Sequence, residues 1–406
     1  MKSAITPLAK VSEVCQFVRG ITFKPSDKLD AKDPQALACF RTKNVQEKLD
    51  LADLIYIPRS LVPTDRQFVR QGDILISTAN SKEIVGKCCF VDALPFDATL
   101  GGFIAGARAD TSTILARYLY HWMSSSPTQA VFRRLSRQTT NIANLPLSQV
   151  EELEIPLPPL DEQHRIVHIL DKAEALRQLR ARADERMAEF IPALFNQMFG
   201  DPATNPKGWP RHPITYLCAE KYGIKAGPFG SSIKKDTYTS FGYRVYGQEQ
   251  VIADDFTVGN YYISEEKFES MREYEVKSGD ILISLVGTIG KVTIVPSDIE
   301  PGIINPRLVK ISPRHELIDS IYLANLIQHS STQSLLSQAS HGVTMGVLNA
   351  TILKRLEVMT PPLALQREFA ARVAEARALQ DQQARSRARL DAGFQALLHR
   401  AFNGEL

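Results

Sequence analysis

Gly72-Asp73-Ile74-Leu75-Ile76-Ser77 recurs letter for letter as Gly279-Asp280-Ile281-Leu282-Ile283-Ser284. A Gly-Asp step is a turn signal, and the short apolar run behind it reads as a strand entering a core. The motif is therefore structural, and its two occurrences mean that one plan is used twice. Each copy is soon followed by a Gly-Lys step, Gly86-Lys87 and Gly290-Lys291. Further on, Pro158-Pro159-Leu160 returns as Pro361-Pro362-Leu363, a shift of 203 residues, half of the 406-residue chain. The shift holds without a gap from there: Gln163 matches Gln366, Leu176 matches Leu379, Ala193-Leu194 matches Ala396-Leu397, and Phe199 matches Phe402. The chain is a tandem duplication.

Both halves have the same internal order. A strand-rich stretch comes first, FVRGITFKP (17–25) and ADLIYIPRS (52–60) in one half, GYRVYGQEQV (242–251) and VGNYYIS (258–264) in the other. The Gly-Asp strand follows, then a helical segment (114–126; 318–331) and a short apolar return (153–157; 356–360). Strands followed by a helix within one compact unit indicate an α+β domain.

After each Pro-Pro-Leu the period changes to that of a long helix, and proline is a natural start there because it suits the first turn and no position further in. Asp161 and Glu162 place negative charge at the positive end of the first helix, where the second has Ala364 and Leu365. Ile166, Ile169, Ala173, Leu176, Arg180, Ala183, Met187, Phe190, Leu194 and Gln197 fall on an a/d seam of the first helix, apolar but for Arg180 and Gln197. Phe369, Val373, Ala376, Leu379, Leu390, Phe394 and Leu397 fall on that of the second, which has a polar middle from Gln380 to Arg389. Pro192 is expected to kink or end the first helix near its last turns. Helices of this length with one apolar face need a partner, and pairing with each other makes an antiparallel coiled-coil spacer with a pseudo-two-fold relation between the halves. The expected fold is α+β, with two tandem α/β domains separated by two long helices. The boundaries fall at 1–157, 158–200, 201–360 and 361–406.

Composition narrows the function without naming it. Apolar residues are 44% and charged residues 23%, the balance of an ordinary globular protein, and the net charge of +3 permits nucleic-acid binding without arguing for it. No run of 18 apolar residues offers a membrane span and the first residues lack a signal-type apolar core, so a cytoplasmic location is expected. The five cysteines include no C-x-x-C pair, which speaks against a disulfide framework or a zinc site.

The strings LPPLDEQHRIVHILDKAEAL (157–176), ALFNQMFGD (193–201), TNPKGW (204–209) and KAGPFGSSIKKDTY (225–238), with the repeated GDILIS, resemble the specificity subunits of type I restriction-modification systems over nearly the whole chain. The second copy departs from that pattern at LALQREFAARVAEA (363–376), which lacks the usual acidic residue before Gln366, and at SHGVTMGVLN (340–349). The resemblance implies two target-recognition domains, each reading one half of a split site in double-stranded DNA. It implies a platform for two adenine methyltransferase subunits, joined by nuclease-translocase subunits. It also implies no cofactor in this chain, since S-adenosylmethionine, ATP and Mg belong to the partner subunits. A stand-alone duplicated DNA-binding protein of another defence system is the alternative.

Candidate contacts follow from side-chain chemistry. Phosphates want Lys, Arg and free N–H groups, and base edges want Arg, Lys, Asn and Gln. Arg41, Lys43 and Asn44 align with Gly247, Glu249 and Gln250 at a shift of 206, so matched positions differ where two half-sites would be encoded. Gln248 and Gln250 join the candidates, as do Gly230, Ser231, Ser232, Lys234 and Lys235 in a glycine-rich basic segment and the polar run Gln138, Thr139, Thr140 and Asn141. These segments equally suit solvated loops and caps. For methyltransferase contact the candidates are Gln163, Arg165, Gln366 and Arg367 at the helix starts.

Enzymatic motifs fail on inspection. Gly287-Thr288-Ile289-Gly290-Lys291 has the wrong spacing for a phosphate loop, and Asn305-Pro306-Arg307-Leu308 lacks the second proline and the aromatic of an adenine-methylase motif. His164 and His168 stand at i and i+4 with no third ligand nearby, so no metal site is expected. The expected protein is a reader with no catalytic residues of its own.

Overall fold

A computed structural model describes residues 6–138, 142–228, 232–285, 290–340 and 350–406. The chain divides into two compact units, Met1–Arg182 with Arg385–Leu406, and Ala183–Ala384. The long helices are continuous over Leu160–Phe199 and Leu363–Phe402, so each contributes a segment to both units.

In unit 1, the strand Ile74–Ser77 lies between Ile104–Ala109 and Cys88–Phe90, and Cys15–Arg19 completes an antiparallel four-stranded sheet. A second sheet sets Ala36–Phe40 antiparallel to Ile55–Pro58 and parallel to Ala98–Leu100. Leu8–Lys10 pairs with Glu154–Pro156, which delivers the chain to the first long helix. The helix Ala116–Ser124 covers the four-stranded sheet, and its Tyr118, Leu119 and Met123 share a core with Ile74, Ile76, Phe132 and Val150.

Unit 2 repeats these three sheets strand for strand. Ile281–Ser284 lies between Leu308–Ile311 and Val292–Ile294, with Ile224–Ala226 at the edge. Tyr243–Tyr246 is antiparallel to Tyr262–Ile263 and parallel to Gly302–Ile304, and Arg211–Pro213 pairs with Glu357–Met359. Ser320–Gln328 is the covering helix. The repeated hexapeptide does the same work in both units. Gly72 and Gly279 turn at φ +86° and +82°, a region costly for residues with a Cβ. Asp73 and Asp280 accept the N–H groups of Arg70 and Lys277 at 2.8 Å, and the four residues behind each aspartate are buried in the strand.

Within each unit the two long-helix segments run antiparallel. In unit 1, Arg177 bonds Asp391 at 2.6 Å, and Arg165, nearer the start of its helix, reaches the carbonyl of the terminal Leu406. Ile166 and Leu170 pack into the same core as Phe394 and Leu398. In unit 2, Phe195 and Phe199 meet Phe369 edge-on at 5.6 and 5.3 Å, and Gln380 donates to the carbonyl of Met187. The buried stripe keeps part of the expected seam, at Ile166, Leu194, Phe369, Val373, Ala376 and Phe394, and departs from the rest. It runs through Gln163, Ile166, Leu170 and Glu174, while Leu176, Phe190 and Leu379 are exposed. Glu174 can be buried because Arg117 pairs with it at 2.9 Å. Pro192 does not end the helix, which continues to Phe199. The end of each long helix is stapled by aromatic contact with the covering helix of its unit, Phe402 on Tyr118 and Phe199 on Tyr322. No described helix is long and apolar enough to cross a membrane.

Candidate nucleic-acid interface

In unit 1 the strand Ala36–Phe40 ends in a short helical turn, Thr42–Asn44. The Asn44 side chain holds the turn closed: its Oδ1 accepts the Arg41 N–H at 2.8 Å and its amide donates to the carbonyls of Asp50 and Ala52 at 3.0 and 3.1 Å. Unit 2 repeats the device with one more methylene. After Tyr243–Tyr246, Gln250 Oε1 accepts the Gly247 N–H at 2.7 Å and its amide donates to the Val258 carbonyl. Asn44 and Gln250 are buried, with every polar atom committed to the backbone. This corrects their expected role, because a side chain spent on folding a turn has none left for a base edge.

What the turn presents is different in each unit. In unit 1 it carries Arg41 and Lys43, which share the carboxylate of Asp53, and the Arg41 guanidinium also donates to the Asp53 carbonyl at 3.0 Å. Both cations keep a third or more of their surface exposed, 35% and 45%. Exposed pairs of this kind are worth about 0–1 kcal/mol, so a phosphate can replace Asp53 at little cost. In unit 2 the matched positions are Gly247 and the exposed Glu249. Beside Arg41 opens a cavity of about 370 Å³ lined by Phe23, Lys28, Thr42 and Phe103 among others.

The other expected contacts are distributed as follows. Gln138 is exposed in the strand Arg137–Gln138, which pairs with Ala143–Asn144. Ser232 is half-buried, Lys234 is exposed, and Lys235 opens the helical turn Lys235–Thr237. Gln248 is half-buried at the start of the helix Gln248–Ala253. Thr139, Thr140, Asn141, Gly230 and Ser231 lie outside the described residues.

At the helix starts, Gln163 and Gln366 also require correction. Gln163 Oε1 accepts the Leu115 N–H at 2.8 Å, and its amide donates to the carbonyls of Thr113 and Pro158. Gln366 accepts the Asp319 N–H at 2.9 Å and donates to Pro361. Both are fully buried, and each pins a long helix to the covering helix of its own unit instead of facing a partner. Arg165 is exposed and bound to Glu162 by two hydrogen bonds, and Arg367 is exposed.

His164 and His168 line a shallow surface with Asp171 and Lys172. His121, Asp171 and Glu174 have ligand atoms within 4.8 Å of one another, the one such group found among the described residues. The positive charge there is already supplied by Arg117, which bonds both carboxylates at 2.9 Å, and His121 hydrogen-bonds Asp171 at 2.7 Å. Burial alone would raise the Asp171 carboxyl, but the hydrogen bond from His121 and the Arg117 charge hold it below the usual range. The network is specific to unit 1, for Ile321 and Asn325 stand at the places of Arg117 and His121 in unit 2. It is a latch between the covering helix and the long helix.

The chain matches the family model for the type I restriction modification DNA specificity domain at residues 9–185 and 227–377, and it belongs to that family. It is 25% identical to the type I restriction enzyme EcoKI specificity subunit of Escherichia coli K12, over 98% of this chain and 89% of that one. The StySPI specificity subunit of Salmonella potsdam is likewise 25% identical, over 98% and 88%. Among solved structures, a chain from work on the assembly and conformational transition of a type I R-M system aligns at TM-score 0.62 with 18% identity, covering 98% of each chain. The type I S subunit from M. genitalium aligns at 0.54 with 14% identity, covering 98% of this chain and 96% of that one. The two repeats are thus two specificity domains, in a fold shared with known S subunits.

Proposed function

We propose that this chain reads a bipartite site in double-stranded DNA, one half through each unit, and carries two adenine methyltransferase subunits to it without catalysing a reaction itself. One observation carries the reading: two units share a bonded backbone frame yet differ in the charged residues on the same turn, Arg41 and Lys43 against Gly247 and Glu249. A common frame with unlike exposed groups is what two reading heads for unlike sequences require. Methyltransferase docking is supported by apolar side chains left uncovered on the long helices, Leu176 at 55% and Leu179 at 59% exposure in unit 1, Phe190 at 45% and Leu379 at 43% in unit 2. Nuclease-translocase subunits complete the assembly, S-adenosylmethionine, ATP and Mg act in the partners, and the chain works in the cytoplasm.

The test is co-expression with the methyltransferase subunit. The expected product is a stable complex of two methyltransferase subunits per chain that binds a split site, with capture lost in the double variant Leu176→Asp, Leu179→Asp. A chain that binds its site alone and captures no methyltransferase would favour the stand-alone DNA-binding protein and overturn the scaffold.

A further inference from the structure

One exposed turn is common to the two units although its residues have nothing in common. In unit 1 it is Gly101-Gly102-Phe103, leading into the strand Ile104–Ala109. In unit 2 it is Asn305-Pro306-Arg307, leading into Leu308–Ile311. Their equivalence rests on backbone bonds. Gly101 N–H donates to Phe40 at 2.9 Å, as Asn305 does to Tyr246 at 2.8 Å. Ile104 N–H closes on the Gly101 carbonyl at 2.9 Å, as Leu308 closes on Asn305 at 3.3 Å. The carbonyls of Phe103 and Arg307 accept the N–H groups of Thr78 and Leu285, each at 2.9 Å. Gly20 donates to Ile104 at 3.0 Å and Gly227 to Leu308 at 2.8 Å. Phe103 and Arg307 therefore occupy one position in one frame.

That frame is held tightly. A Cβ on Gly20 would come within 2.1 Å of the Gly101 carbonyl oxygen, and one on Gly227 within 1.8 Å of that of Asn305. The turn is clamped from below, and its tip side chain is offered from a fixed backbone. Among the described residues neither tip has a task in the fold. Phe103 is 62% exposed and stands at the rim of the cavity that also holds Lys28 and Arg41. Arg307 is exposed, and among the described residues its guanidinium has no hydrogen-bonding or ion-pair partner. Other arginines of the same unit do: Arg244, Arg272 and Arg314 pair with Glu300, Glu269 and Glu316.

We infer that this turn is the base-reading tip of each unit, and that the two half-sites are distinguished there by opposite chemistry. Resting on the DNA-reading function proposed above, the assignment is specific. The Arg307 guanidinium donates two parallel N–H bonds to the O6 and N7 of a guanine in the major groove. The Phe103 ring makes apolar contact with the methyl group of a thymine, while Lys28 beside it meets the phosphates. One half of the site thus carries a G·C pair under the tip of unit 2, and the other a T·A pair under the tip of unit 1.

The experiment selects from a DNA duplex library with two randomised tracts, using the full chain in complex with its methyltransferase subunits. Wild type is compared with Arg307→Ala, Arg307→Gln and Phe103→Ala. Because both side chains are exposed, thermal unfolding midpoints should match wild type, which separates recognition from folding. Arg307→Ala is expected to erase the guanine preference at one base pair of one half and to weaken binding to the wild-type site by about 5- to 150-fold. Arg307→Gln should move that preference to adenine, and Phe103→Ala should erase a thymine preference at one base pair of the other half only. If wild type selects a split motif and the variants select the same one, the tip assignment is wrong while DNA reading stands. Uniform weakening with no change of base also overturns it, because that is the signature of a phosphate contact. If wild type selects no motif at all, the proposed function fails and this inference fails with it.

Discussion

Replacing Gln163 by alanine should loosen unit 1 without loosening unit 2. The buried amide ties the Leu115 N–H, the Pro158 carbonyl and the Thr113 carbonyl together, at 2.8, 2.9 and 3.1 Å. Truncation strands the Pro158 carbonyl in a buried place and leaves the Leu115 N–H partly shielded, whereas the Thr113 carbonyl lies near water and can be rehydrated. At about 1–3 kcal/mol per stranded group, and counting the two that water cannot freely reach, the loss is about 2–6 kcal/mol. Gln366→Ala strands two groups in the same way, the Asp319 N–H and the Pro361 carbonyl, so its cost should lie in the same range. A two-unit chain need not unfold in one step, so hydrogen exchange followed by mass spectrometry is the suitable assay. In Gln163→Ala, peptides spanning Leu115 should lose protection equivalent to that free energy while those spanning Asp319 keep theirs, and Gln366→Ala should give the reverse. Changes below about 0.5 kcal/mol at either site, or equal loosening of both units by one substitution, would refute the pin.

Other consequences follow from the same geometry. Arg117→Met leaves Glu174 buried and unpaired, and urea midpoints should show unit 1 destabilised by about 2–4 kcal/mol, below the value for a fully buried pair because Arg117 keeps 24% exposure. The Asp171 carboxyl is lower in the folded chain than its ordinary 3.8, so its contribution is present above pH 3.8 and is lost as pH falls through the folded value. Exchange protection of the helix Ala116–Ser124 should therefore fall on acidification below about pH 4, and less so in Asp171→Asn. Gly20→Ala and Gly227→Ala drive a methyl into backbone carbonyls and should each cost about 3 kcal/mol or more by thermal melting of the affected unit. Four residues inserted after Leu176, matched by four near Leu379, should lengthen the unread gap of the methylated motif and leave both half-sites as they are; altered half-sites with an unchanged gap would contradict the spacer role.

The duplication and the order of elements were legible because they rest on signals that survive in one dimension: a repeated Gly-Asp strand, Pro-Pro helix starts, and a constant shift. The buried face of the long helices was legible only in part, at Ile166, Leu194, Phe369, Val373, Ala376 and Phe394, for a physical reason. Ile169 and Leu170 are neighbours, as are Ala173 and Glu174, and counting apolar residues favours the wrong member when a charged side chain is buried with its partner. The amides misled in the same way. Asn44, Gln250, Gln163 and Gln366 look like polar contacts for a ligand, yet each satisfies backbone groups that its own fold leaves open. A signal for Asn44 and Gln250 did exist, since each stands three residues after the N–H it caps. Phe103 and Arg307 left only their place. Gly-Gly-Phe and Asn-Pro-Arg stand at the 204-residue shift of Gly86 and Gly290, but they share no residue and an exposed tip has no periodicity to betray it.

Methylome sequencing of cells carrying the complete system, with and without this chain, tests the central claim most directly. A single adenine-methylated motif is expected only with the chain, made of two unlike short sequences separated by an unread gap of fixed length. A continuous motif, two identical halves, or methylation that does not depend on the chain would contradict it.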